Sequence, residues 1–129
     1  MKTKEKNLTI YFMPYSEISH LGSLERIKKI LGIVLENKLI ILQGRLKPEE
    51  EAKLIEHTMA LVGNIKDFKG IEISSLSYAN ERNLFEKIRK NLIRILVGEQ
   101  DSISLIGPAS LIKEIKKDPR KIELILKRA

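Results

Sequence analysis

The chain alternates between two kinds of apolar pattern. From Asn7 to Met13 the side chains alternate: Leu8, Ile10 and Phe12 fall on one face, Thr9, Tyr11 and Met13 on the other, and Pro14 ends the run. That period of two predicts a first strand. After a helical turn or loop over 16–22, Leu24, Ile27, Ile30, Leu31, Val34 and Leu35 recur at helical spacing behind Ser23, which is expected to cap the helix, with Glu25 in its first turn and Asn37 near its end. Leu39 to Gln43 is an unbroken apolar run closed by Gly44, which predicts a strand buried on both faces and hence central. Pro48 then opens a second helix, with Glu49, Glu50 and Glu51 in its first turn. Lys47 is its expected N-cap, although a lysine offers the helix no acceptor. Ala52, Ile55, Met59 and Val62, widened by Leu54 and Leu61, form its expected buried stripe, ended by Gly63-Asn64.

The pattern continues with a third strand over Gly70–Leu76, Ile71 and Ile73 pointing inward. A third helix is predicted over Arg82–Val97, with Leu84, Phe85, Ile88, Leu92, Ile95 and Leu96 on one face and a stop at Gly98. Ser102–Ile106 is the fourth strand. Gly107-Pro108-Ala109 turns from it into a short helix carrying Leu111, Ile112 and Ile115, and Asp118-Pro119 breaks that helix and caps a last one with Ile122, Ile125 and Leu126. The order β-α-β-α-β-α-β-α describes a single α/β (or α+β) domain over residues 1–129. Its expected sheet has four strands, mostly parallel or mixed, covered by helices. A two-layer sandwich with antiparallel members is the alternative.

Composition narrows the chemistry. The 129 residues contain no cysteine, which removes disulfides and thiolate metal sites. The charged start of the chain and the short apolar run after it do not read as a signal peptide, and no run reaches transmembrane length, so a cytoplasmic protein is expected. The net charge of +7 is uneven. Residues 1–77 carry twelve basic and ten acidic side chains, whereas residues 78–129 carry twelve and seven. A basic C-terminal half points to a polyanionic partner, set against a merely solvated lysine-rich surface.

Candidate sites follow from that charge. Arg82, Lys87, Lys90 and Arg94 recur along the third predicted helix, and Lys113, Lys116, Lys117, Arg120 and Lys121 cluster around the Asp118 break. Together they form a candidate RNA-binding face. With three Phe and three Tyr in the chain, base stacking is poorly supplied, so contacts to phosphate would dominate. The same helix 82–97 could instead lie on an anionic membrane. Gly107, Ala109 and Ser110 form a weaker candidate: a strand-to-helix turn whose amides could meet the phosphate of a small molecule, in an enzyme or binder of a phosphorylated compound, though Pro108 removes one donor. No metal site or cofactor is expected. Glu49, Glu50, Glu51, Glu56 and His57 include no ligand pair at the i, i+4 spacing of a helical site, because Lys53 stands four before His57. His20 has no evident partner, no serine has a nucleophile-elbow context, and no catalytic residue is expected.

The motifs also carry a resemblance. Gly22-Ser23-Leu24-Glu25-Arg26-Ile27, Gly44-Arg45-Leu46-Lys47-Pro48-Glu49-Glu50-Glu51-Ala52-Lys53-Leu54-Ile55-Glu56, Phe68-Lys69-Gly70-Ile71-Glu72-Ile73, Ile106-Gly107-Pro108-Ala109 and Ile115-Lys116-Lys117-Asp118 occur in order over nearly the whole chain. They resemble a family of small archaeal proteins classed as a domain of unknown function. Lys47 departs from its pattern, where a threonine cap is expected. The family has no established activity. The resemblance implies an archaeal cytoplasmic protein encoded near an Era-like GTPase and a zinc-ribbon protein. It therefore implies an accessory role with that GTPase or with ribosomal RNA, on which Era-like GTPases act.

Overall fold

The structure, a computed structural model, describes residues 9–36, 38–61, 70–77, 102–118 and 120–121. Its elements are β1 (Thr9–Met13), a 3-10 turn (Tyr15–Glu17), α1 (Ser23–Val34), β2 (Lys38–Gln43), α2 (Pro48–Met59), β3 (Ile71–Ser77), β4 (Ser102–Pro108) and α3 (Ala109–Lys117). The helix expected over Arg82–Val97 lies outside the described residues, and so does the last helix with Ile122, Ile125 and Leu126.

The four strands form one sheet in the order β1-β2-β4-β3. β1 is parallel to β2, with Tyr11 beside Ile40. β4 runs antiparallel to both neighbours, with Ile106 beside Ile40 on one side and Ile73 on the other. The sheet is therefore mixed. β2 is interior, as its unbroken apolar run requires, and Leu39, Ile40, Ile41 and Leu42 are wholly buried.

Side-chain alternation divides the core in two. On one face Ile40, Leu42, Ile106 and Ile71 pack with Ile27, Ile30 and Val34 of α1 and Leu54 of α2. On the other, Leu39, Ile41, Ile103, Leu105 and Leu76 pack with Ile112 and Ile115 of α3, and Ile10 and Phe12 of β1 join at the rim. Helices thus cover both faces of the sheet. Gly44 makes the exit from β2 possible, because its φ of 104° lies in the left-handed region that a side chain disfavours.

Three local expectations need correction. Ser23 is not the cap of α1. Gly22 holds that position and Ser23 is the first helical residue, which frees its hydroxyl for a contact described below. Strand β4 continues through Gly107 and Pro108, so no loop separates it from α3. The third correction is the buried face of α2, which carries Glu50, Leu54 and Thr58. Of the expected stripe, Leu54 is wholly buried, whereas Ala52, Ile55 and Met59 face outward and Met59 is 56% exposed; Val62 lies outside the described residues. Apolarity alone misplaced that face, because two of its inward residues are polar and satisfied internally. The Thr58 hydroxyl donates to the Ile55 carbonyl at 2.9 Å.

Candidate nucleic-acid interface

α3 is amphipathic over its nine residues. Ile112 and Ile115 are buried against the sheet, and Leu111 packs partly against the same core. Anchoring these residues turns Lys113, Lys116 and Lys117 toward solvent, and all three are exposed. Lys113 and Lys117 stand four apart, one turn above the other on the same flank. Among the described residues no carboxylate pairs with either. Lys116 donates to Glu72 of β3 at 2.7 Å, an exposed ion pair that ties the helix end to the sheet edge. Lys116 and Lys117 also occupy the last turn, where cations complement the helix dipole.

The chain then turns at Asp118. Its carboxylate accepts from the Arg120 amide at 3.2 Å and from Arg120 Nε at 3.1 Å. The Arg120 side chain and amide together hold this carboxyl below its usual range. Lys121 pairs with Glu114 at 3.3 Å. Solvent-exposed ion pairs of this kind are worth roughly 0–1 kcal/mol each. Residues 109–121 carry five basic and two acidic side chains. The structure brings Lys113, Lys116, Lys117, Arg120 and Lys121 into this one stretch. Arg82, Lys87, Lys90 and Arg94 lie outside the described residues.

The turn singled out for anion binding has a structural occupation. Gly107 is buried in β4 opposite Glu72, and a Cβ there would stand 3.0 Å from Leu39 Cδ1. Its lack of a side chain admits Leu39 of the neighbouring strand. The Ala109 amide donates to the Gly70 carbonyl at 3.2 Å, and Pro108 has none to give. Ser110 is exposed at the first turn of α3.

Sequence reasoning missed a second polar cluster, between the starts of α1 and α2. Glu50, only 2% exposed, accepts from the Ser23 hydroxyl at 2.6 Å, from the Lys47 amide at 2.9 Å and from Arg26 Nη1 at 3.5 Å. Arg26 also donates to the carbonyls of Ile18 at 2.8 Å and Ser19 at 3.3 Å, with Tyr15 beneath it. Burial pushes the Glu50 carboxyl up. The Ser23 hydroxyl, the Lys47 amide and the Arg26 charge outweigh burial and hold it below the usual carboxylate range. Every partner of this cluster is a neighbouring part of the same fold, so its role is to clamp α1 to α2. The signal was present: the Ser23–Arg26 and Lys47–Glu50 segments are both among the motifs quoted above, though only folding brings them together. Among the described residues, no group of histidines and carboxylates is placed to hold a metal, and no helix is long and apolar enough to cross a membrane.

A mixed sheet with a lysine-faced helix, and a buried clamp between its other helices, defines a small α+β protein. The chain belongs to the family described as origin-associated protein OapB, whose pattern it matches over residues 18–127. No curated protein and no solved structure matches it.

Proposed function

We propose that the protein is a non-catalytic accessory protein that binds the phosphate backbone of nucleic acid through α3 and the turn that follows it. The observation that carries this reading is the pair Lys113 and Lys117: exposed, one helical turn apart, and flanked in the chain by Lys116, Arg120 and Lys121. Phosphates spaced along a backbone suit such a row, and binding of this kind carries little sequence preference. The family's description as origin-associated favours DNA at an origin as the polyanion. An archaeal source, an Era-like GTPase partner and ribosomal RNA rest on the resemblance drawn from the sequence motifs, and they belong to the same accessory role. α3 itself suits a membrane poorly, because its apolar residues are spent on the sheet.

The test is fluorescence anisotropy with labelled duplex DNA and with a structured ribosomal RNA fragment, over a salt series. Binding is expected at low salt and falls steeply as salt rises. The double reversal Lys113→Glu with Lys117→Glu should weaken binding and flatten the log–log salt slope by about two, roughly one per lysine lost. Unchanged affinity in the double variant, or no binding of either nucleic acid by the native protein, overturns the reading. Preference between the two ligands distinguishes the origin from the ribosomal role.

A further inference from the structure

We infer that the outer edge of β1 is a self-association surface, on which a second copy of this chain pairs through its own β1, antiparallel, to make one sheet continuous across two molecules. β1 and β3 are the two edges of the sheet. Exposed edges are normally blunted by charge, proline or a bulge. β3 is blunted by Glu72 and carries three serines among its seven residues. β1 reads Thr-Ile-Tyr-Phe-Met, pairs with β2 residue for residue over its whole length, and contains no charge, proline or bulge. Among the described residues no strand covers its other side.

The strand's composition selects a copy of itself as the occupant. With Tyr11 on the two-fold axis, Ile10 of each copy lies opposite Phe12 of the other, and Tyr11 lies opposite Tyr11. β-branched and aromatic residues facing each other across an antiparallel pair are favourable partners. Ile10 and Phe12 are partly exposed at the rim of the α3-side core, and the second copy would extend that core over them. The two-fold axis of such a pair stands perpendicular to the sheet, which places both α3 helices on the same face. α3 packs on β3 and β4, so six strand spacings of about 4.8 Å separate the two helices, roughly 29 Å before twist. A turn of duplex DNA is about 34 Å. This last point alone rests on the nucleic-acid reading. The association itself does not, and its test uses no nucleic acid.

The full chain is examined by sedimentation velocity at high micromolar concentration, and a dimer is expected. Because the chain has no cysteine, single cysteines report on the interface without background. A short bis-maleimide should join Tyr11→Cys into a covalent dimer and leave Met59→Cys, on the exposed apolar side of α2, uncoupled. Should Tyr11→Cys fail to fold, a nitroxide on Thr9→Cys gives the same answer, since antiparallel pairing about Tyr11 sets the two Thr9 Cα atoms roughly 15 Å apart. A monomer at that concentration overturns the proposal. So does a dimer that couples through Met59, or one whose Thr9 labels are too far apart to interact.

Discussion

Lys47 and Glu50 show what one residue's chemistry contributes here. Lys47 is the N-cap of α2, with extended backbone angles, yet its side chain makes no capping bond. An ammonium has only donors, so one half of a capping box is missing while the other is present: Glu50 reaches back to the Lys47 amide. Lys47→Thr supplies the missing acceptor and should raise stability by about 0.5–2 kcal/mol, read as an increase in thermal midpoint. No gain would mean that the ammonium makes a compensating contact. Glu50 contributes to stability in a pH-dependent way. Its folded-state pKa is lowered, so its contribution is complete above its unfolded value of about 4.3 and is lost as pH falls through the lower, folded value. Glu50→Gln should cost about 1–3 kcal/mol at neutral pH by leaving the bonds of Ser23 and Arg26 weakened. Its unfolding curve should also be flatter than that of the native protein as pH falls below the unfolded value. A variant that keeps the native acid profile would remove Glu50 from this role.

Each element's orientation follows from which of its side chains find partners. α2 has two apolar stripes to offer, one through Leu54 and one through Ile55 and Met59. The clamp at Glu50 decides between them, because Glu50 is buried only when it faces Ser23 and Arg26, and Leu54 follows one turn later on the same side. Truncation should separate the two stripes. Leu54→Ala leaves a cavity in the α1-side core and should cost roughly 2–5 kcal/mol, whereas Met59→Ala should stay within about 0.5 kcal/mol. Chemical denaturation measures both, and equal costs would put Met59 in the core beside Leu54. α3 presents the simpler case. Its apolar residues all face the sheet, the lysines have only the outer side left, and periodicity alone read it correctly.

At the scale of the whole molecule, the reversal of Lys113 and Lys117 should lower nucleic-acid binding while leaving the thermal midpoint near its native value, since both side chains are exposed and support no core contact. A fall in midpoint alongside the loss of binding would make them structural instead. The described strands and helices, their order and the interior place of β2 were determined by the sequence itself, because period, glycine and proline act within a few residues. The Leu39–Leu42 run needed burial on both faces, and only an interior strand provides that. The uneven charge was equally legible, because it is a matter of counting. Tertiary structure alone decided the rest. It inserted β4 antiparallel between β2 and β3, a pairing between distant segments that local pattern does not encode. It also chose the inward face of α2 by joining Glu50 to Ser23 and Arg26 across more than twenty residues of chain. A carboxylate read alone is a solvent-facing charge; it becomes a buried one only when another element brings the donors that replace water.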